Sequence, residues 1–219
     1  MRRTTALAAT TALAALLGAP AAPALAAPVF SYFVPQASYT VNAGDTVSVP
    51  VYLQEIAAPD DSDSLLASHD GLATAGVEVS QSSNPLVTIS NVAANLSADP
   101  TAFDPPAGIT TLPSTDVTLE LSDDFSRADG TNAPPTNGIR QILLGAFTFS
   151  AGPTASGPVI FSIADPAATT DTTLFSDLTP LDAQVAGTSV TINVTPTPEP
   201  ATLAALTLPA LLLLKRRHA

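Results

Sequence analysis

The chain has 219 residues, no Cys, no Trp and a formal net charge of −12 at pH 7. Residues 28–195 contain 18 acidic residues against Arg127 and Arg140 alone, which gives this part a charge of −16. So acidic a body repels nucleic-acid backbones and anionic membrane surfaces, and the lack of Cys excludes disulfides and thiolate metal sites.

The first 26 residues have the composition of a secretory signal peptide. Arg2 and Arg3 precede an apolar run at residues 6–17, and Ala24 and Ala26 fit the small-x-small pattern that signal peptidase recognises. The alternative is an amphipathic first helix, which would need a polar stripe, but Ala and Leu surround every helical face here. We therefore predict cleavage after Ala26 and export of the chain.

Residues 27–195 predict one domain built from strands. Apolar residues alternate with polar ones along residues 46–54, 116–122 and 188–195, while residues 139–150 are nearly continuously apolar and predict a central strand. Such one-sided strands belong to antiparallel sheets that must bury their apolar faces against each other. The fold class is therefore predicted to be all-β, a single antiparallel β-sandwich. Pro50 predicts that its strand lies at an edge or breaks there.

Turns and two long loops are predicted between these strands. Asn42 to Asp45 and the Asn137-Gly138 pair carry turn residues. The loops are residues 57–71 and 122–138. Both are rich in aspartate.

The acidic residues of the two loops are the candidates for a metal site. Asp60, Asp61 and Asp63 offer the carboxylate oxygens that calcium prefers, although the spacing lacks the full calcium-loop pattern and its terminal glutamate. The alternative is a solvated acidic loop, and the same two interpretations apply to Asp123, Asp124 and Asp129 in the second loop. No other cofactor is expected.

Little in the body suggests catalysis. His69 is its one histidine and Asp70 follows it, but a Ser–His–Asp arrangement requires a geometry that adjacency in sequence does not establish. Paired carboxylates of a glycosidase are not excluded by composition. Tyr32, Tyr39 and Tyr52 are expected to be exposed, and stacking of a sugar would depend on them because there is no Trp.

Residues 196–219 are predicted to be a proline-rich stalk followed by a targeting segment. A short apolar helix at residues 201–214 would be about 21 Å long, against roughly 30 Å for a bilayer core. Pro209 would weaken it further. The basic tip favours the cytoplasmic side, which leaves the domain outside and allows only a transient association with the inner membrane. The three parts of this tail are Pro198-Glu199-Pro200, the apolar run, and Lys215, Arg216 and Arg217.

This layout resembles the PEP-CTERM sorting signal of bacterial exosortase substrates. The resemblance implies recognition by a membrane-embedded exosortase, removal of the tail, and release to the cell envelope, the cell surface or the extracellular matrix. The precursor would be membrane-bound.

The body resembles the cohesin and carbohydrate-binding-module type of β-sandwich, a jelly-roll or cohesin-like fold. The matching residues are 41–53, where a Gly44-Asp45 turn precedes an alternating strand, together with 75–79, 84–89, 145–149 and 187–192. Relative to that pattern, residues 57–71 and 122–138 are insertions.

These observations predict a secreted protein with a structural, adhesive or matrix-interacting role and no catalytic activity. Its expected partners are signal peptidase, exosortase, and extracellular polysaccharide or matrix proteins. The alternative is a non-catalytic carbohydrate-binding module, and a third interpretation is a small hydrolase that uses His69 or a carboxylate pair.

Overall fold

A computed structural model describes residues 29–197 of the chain, except 82, 83, 98, 124, 126, 127 and 167–171. Its elements follow in chain order, with a 3₁₀ turn at Asp182–Gln184 between β10 and β11. They are β1 (Val29–Phe33), β2 (Ser38–Asn42), β3 (Thr46–Ile56), α1 (Leu65–Ser68), β4 (Leu72–Ser80), β5 (Val87–Ala94), β6 (Asp104–Ile109), β7 (Asp116–Ser122), β8 (Ile139–Ala151), β9 (Gly157–Ala164), β10 (Thr173–Leu174), β11 (Val185–Ala186) and β12 (Thr188–Thr195).

The strands form two sheets packed face to face, which confirms the all-β sandwich. The five-stranded sheet has the order β11-β1-β3-β8-β5. The seven-stranded sheet has the order β2-β12-β9-β4-β7-β6, with β10 beside β4. The apolar residues of the alternating stretches point inward as predicted. Strand β8 lies between β3 and β5 and is therefore a central strand, also as predicted.

The core lies between the two sheets. Phe149 of β8 meets Phe161 of β9 across the layers, with ring centroids 4.5 Å apart at 63°, an edge-to-face arrangement. Both rings are buried. Burial of a phenylalanine side chain contributes about 1.5–3 kcal/mol, so the inward rows of these strands supply the main stabilisation of the fold.

The two edges nearest the chain ends are parallel, which the sequence did not indicate. β1 pairs with β11 and β2 pairs with β12 in parallel, while the pairs inside each sheet are antiparallel. The first strand region is divided for this reason: β1 joins the five-stranded sheet, and β2 crosses to the other one. The crossing closes the sandwich along one side.

Pro50 lies where its strand has a neighbour on one side only. β1 pairs with residues Tyr52 to Ile56 of β3, so Pro50 lies beyond the end of that pairing and opposite Ala146 of β8. A register shift follows between Val51 and Tyr52. The predicted edge is therefore local, because β3 as a whole lies inside the sheet.

The predicted turns are present. Asn137 and Gly138 have φ values of 52° and 75°, and Thr136 and Ile139 exchange both backbone hydrogen bonds across them. This is the geometry of a two-residue hairpin turn, for which Asn-Gly is the preferred pair. The turn brings the second long loop back onto β8.

Candidate functional site

The last inward residue of strand β3 is a glutamate whose carboxylate is buried. Glu55 points inward with Val51 and Leu53, and it is fully buried. Its oxygens accept hydrogen bonds from the Ser64 hydroxyl (2.6 Å) and from the backbone N–H groups of Leu65 (2.6 Å) and Leu66 (3.3 Å). The first N–H groups of a helix have no partner within it. Glu55 therefore holds the start of α1, a short helix that the sequence analysis did not predict.

Arg140 is the cross-strand neighbour of Glu55 on β8, and it is also buried. Its guanidinium donates to the Asn132 side-chain oxygen (3.1 Å) and the Ala133 carbonyl (2.7 Å), and forms an ion pair with Asp61. Asp61 belongs to the first long loop, whereas the other two acceptors belong to the second. One guanidinium thus ties both loops to the same end of the sandwich.

The second loop is also fixed by contacts of its own. Asp123 is 3% exposed and accepts from the backbone N–H (2.8 Å) and hydroxyl (3.0 Å) of Thr131. The Asn132 amide donates to the Leu66 carbonyl of α1 (3.1 Å). A Cβ on Gly130 would lie 2.3 Å from the Leu72 carbonyl oxygen, so only glycine allows this close approach. Asp123 is a structural residue of the loop, and Asp124 lies outside the described residues.

The three calcium candidates each have a different contact. Asp60 accepts from the hydroxyl and the N–H of Ser62, which lower the pKa of its carboxyl. Asp61 binds Arg140, and Asp63 accepts from the Ala58 N–H at 2.6 Å. Among the described residues no three His, Cys, Asp or Glu side chains gather as a metal site would require.

His69 lies beside Asp177 and Ser68. Its Nε2 is 3.5 Å from an oxygen of Asp177, and its Nδ1 is 2.9 Å from the Ser68 hydroxyl and 3.0 Å from the Leu65 carbonyl oxygen. A carbonyl oxygen only accepts, so Nδ1 carries the proton in this geometry. Nδ1 is then unable to remove a proton from Ser68. The three residues resemble a catalytic triad in composition, but they do not activate the serine.

An open cleft of about 340 Å³ lies between the two loops. It exposes Asp70 and Asp129 at its sides and is bounded by Arg140, whose guanidinium is already held by three acceptors. The carboxylates give the cleft the same sign as the rest of the surface. Its position follows from the loop contacts described above.

The outer face of the five-stranded sheet carries no charged side chain on four of its strands. In β1, β3, β5 and β8, all of which the structure describes completely, every outward residue is uncharged. The outer face of the seven-stranded sheet carries Glu78, Asp116 and Glu120 on β4 and β7, while the outward residues of β2, β9 and β12 are uncharged. We call the outer face of the five-stranded sheet the uncharged face. Residues that pair across β1, β3 and β8 form three rows on this face. They are an apolar row (Val29, Ile56, Ile139), an amide row (Gln54 and Gln141, with Ser31) and an aromatic row (Phe33 and Tyr52, with Leu143). Small and hydroxyl-bearing residues follow them along the strands.

The three tyrosines have different surroundings in the structure. Tyr52 lies in the aromatic row beside Phe33, with ring centroids 6.2 Å apart at 55°. Tyr39, on β2, is partly buried against the core, and burial raises the pKa of its phenol, with a smaller contribution from the nearby Tyr52. The expectation that Tyr32 is exposed is wrong: it points inward with Phe30 and donates to the Gly76 carbonyl at 2.7 Å across the sandwich.

The terminal predictions lie outside the described residues. They are Ala24 and Ala26, the apolar run at residues 201–214, and Pro198, Glu199, Pro200, Lys215, Arg216 and Arg217. Within residues 29–197, as far as the structure describes them, no helix has the length and apolar character needed to cross a membrane.

Comparison with known proteins gives the fold and no family. No protein-family model matches the chain, and no curated protein matches it. Among solved structures, the complex of a CaDoc0917 variant with CaCohA2 at pH 5.5 aligns over 76% of this chain and 99% of the matched chain, with 15% identity and a TM-score of 0.51.

The solution structure of CaCohA2 from Clostridium acetobutylicum gives the same identity and TM-score over 91% of its length. The third cohesin ScaC, in complex with the ScaB dockerin from Acetivibrio cellulolyticus, aligns with a TM-score of 0.49 at 15% identity over 98% of its chain. The first two structures show that the fold of this chain is that of cohesin domains.

Proposed function

We propose that the chain is an exported, non-catalytic binding module with an adhesive or matrix-interacting role at the cell surface or in the extracellular matrix. The observation that carries this proposal is the shared fold: the CaCohA2 structures align over three quarters of this chain. One of them was determined in a complex with a CaDoc0917 variant. A sandwich of this kind offers two broad outer faces on which another molecule can dock.

The two ends of the sequence support delivery to the outside. Signal peptidase would remove residues 1–26, and exosortase would act at the tail that begins near Pro198-Glu199-Pro200. Between these steps the apolar run at residues 201–214 would hold a precursor in the inner membrane. Both ends lie outside the described residues.

The contacts of His69 support a non-catalytic role. Its Nδ1 is committed to a backbone carbonyl and its Nε2 faces Asp177. A nucleophile needs a base that is free to take its proton. Ser68 has none in this arrangement.

Retention on matrix tests the proposal. The full chain is mixed with extracellular matrix isolated from the native host, the matrix is sedimented, and bound protein is measured against an unrelated acidic protein of similar charge. We expect the chain to sediment with the matrix and the control to remain in solution. Equal recovery of the two proteins, or turnover of glycan or ester substrates that His69→Ala abolishes, would contradict the proposal.

A carbohydrate-binding module is the second candidate. The uncharged face favours it, because Tyr52 now has Phe33 as an aromatic neighbour. Sugars bind proteins through aromatic contact combined with amide and hydroxyl hydrogen bonds, and this face carries each of these groups.

A further inference from the structure

We propose that the uncharged face binds a neutral polysaccharide, with the aromatic row of Phe33 and Tyr52 at the centre of the contact. This inference rests on the proposed function as a binding module and names its ligand class. It differs from a general adhesive role because it assigns one sheet, one row of side chains and one charge class of partner.

Charge selects the class of ligand. The body carries −16, so its field repels anionic polymers over the whole surface. The uncharged face offers no carboxylate to pair with a cationic polymer, whereas the opposite sheet does so through Glu78 and Glu120. Burial of an isolated charge without a partner is costly. A polymer without charges is the class that this face binds without such a cost.

The order of the rows fits the two surfaces of a sugar ring. The C–H faces of a sugar are apolar and pack on aromatic rings such as Phe33 and Tyr52. The amide row lies two residues away along the strands, about 7 Å, within reach of the hydroxyls of the same or the next sugar. Gln141 donates to the Gln54 oxygen at 2.8 Å, which orients both amides. Each glutamine amide has two N–H donors and two lone pairs, so this one bond leaves groups for further hydrogen bonds.

The size of the face favours a slender polymer over a folded partner. Strands β1, β3, β5 and β8 have 5, 11, 8 and 13 residues, so the face averages roughly 30 Å in length by 15–20 Å in width, on the order of 500 Å². A stable protein interface takes about 800 Å² from each partner. The uncharged face is smaller, and hydroxyl and amide side chains interrupt its apolar rows. A second copy of the chain is therefore a poorer fit than an extended glycan.

The test uses the full chain and polysaccharides of three charge classes. Cellulose, chitin and starch are the neutral probes, alginate is the anionic probe, and chitosan is the cationic probe. We expect retention on at least one neutral polymer, no retention on alginate, and little change with salt. Tyr52→Ala should weaken that retention about tenfold or more, which corresponds to the loss of about 1.4 kcal/mol of contact.

Two further variants guard against loss of folding. Gln141→Glu keeps the size of the side chain and places one negative charge on the face, so it should weaken binding about tenfold without lowering the melting temperature. Ile160→Ala is the matched control, because Ile160 is 60% exposed on the outer face of β9 in the other sheet. It should bind like the unmodified chain.

The outcomes separate this inference from the proposed function. Retention on host matrix without retention on any neutral polysaccharide would overturn the inference and leave the binding module standing. Retention that survives both Tyr52→Ala and Gln141→Glu, or that Ile160→Ala abolishes, would place the site elsewhere. A solution dimer that Gln141→Glu dissociates would assign the face to a second copy. Absence of retention on matrix and on polysaccharide alike would overturn both proposals.

Discussion

Glu55 and Arg140 are direct cross-strand neighbours on β3 and β8, yet their side chains bind different groups at the end of the sandwich that carries the long loops. Glu55 holds Ser64, Leu65 and Leu66, while Arg140 holds Asp61, Asn132 and Ala133. The end of the core is therefore closed by two buried charges whose hydrogen bonds reach both long loops. This arrangement makes the loops part of the folded domain.

Replacement of Glu55 by Ala is expected to destabilise the domain. The Ser64 hydroxyl and the Leu65 N–H would lose the carboxylate that accepts their hydrogen bonds. Because these donors lie in a buried setting, their loss of an acceptor should lower the free energy of unfolding by about 3 kcal/mol. For a domain of this size that corresponds to a fall in melting temperature of about 6–12 °C. Differential scanning calorimetry measures it.

Gln54→Ala is the matched control for that experiment. Gln54 is the preceding residue and points outward, so its loss should change stability by no more than about 0.5 kcal/mol. Equal effects of Gln54→Ala and Glu55→Ala would show that the contacts of Glu55 with α1 do not stabilise the domain.

Arg140→Met is expected to loosen both loops at once. The aliphatic chain preserves packing, but Asp61, the Asn132 side chain and the Ala133 carbonyl lose the hydrogen bonds that Arg140 donates. Hydrogen exchange should become faster in residues 57–71 and 122–138, while amides in the paired centre of β3 and β8 stay protected.

Asp61→Asn serves as the graded comparison. It removes the ion pair but leaves the contacts of Arg140 with the second loop, so faster exchange should be confined to residues 57–71. Unchanged exchange in both loops of Arg140→Met would show that the guanidinium does not hold them.

The sequence predicted those elements whose information is local. Alternation along residues 46–54 gave β3 its inner and outer faces, and the Asn137-Gly138 pair gave the turn before β8. The parallel pairing of β2 with β12 joins residues about 150 positions apart, so no local pattern indicates it. Residues 57–71 and 122–138 were predicted to be loops, but the helix α1 within the first was not predicted, because four residues are too few for a helical period.

The candidate site was predicted less well, because the alternating pattern was not followed to the charged residues at the ends of the strands. Extension of the inward positions of Val49, Val51 and Leu53 by one step reaches Glu55, and the same parity from Ile142 reaches Arg140. A carboxylate and a guanidinium at inward positions are signals of buried polar contacts. Tyr32 was misplaced because the sequence alone did not give the parity of the short strand β1, which Phe30 sets.

Calcium is expected to leave the melting temperature unchanged. A ligand that binds only the folded chain raises it by mass action, but Asp61 and Asp63 already bind Arg140 and the Ala58 N–H. The measurement compares millimolar CaCl₂ with MgCl₂ and with NaCl of equal ionic strength, because screening of the acidic body alone gives some stabilisation. A rise specific to calcium that Asp60→Asn removes would establish a metal site in residues 57–71.

Asp177 is expected to titrate in the acid range. The Thr179 hydroxyl and N–H stabilise its charged form, with His69 adding to them, and hold the pKa of the carboxyl below its ordinary value of 3.8. The folded chain then binds fewer protons than the unfolded chain near that pH. The stability from this carboxyl is fully present above pH 3.8 and is lost as the pH falls through the folded value.

A carboxyl titration by NMR measures the shift. Thr179→Val removes the hydroxyl and should move the pKa of Asp177 up toward 3.8, while Asp60, which Ser62 holds in the same way, stays where it was. A value for Asp177 that does not respond to Thr179→Val would show that the hydroxyl bond is absent in solution.

The proposed function requires that this sandwich is exported and that its two ends are removed. Intact-mass spectrometry of the protein recovered from the envelope and matrix of the native host tests it most directly. The predicted mass is that of a chain that begins at Ala27 and ends near Pro198-Glu199-Pro200. Recovery of the full 219-residue chain from the cytosol, with none in the envelope or matrix, would contradict the proposed export and processing.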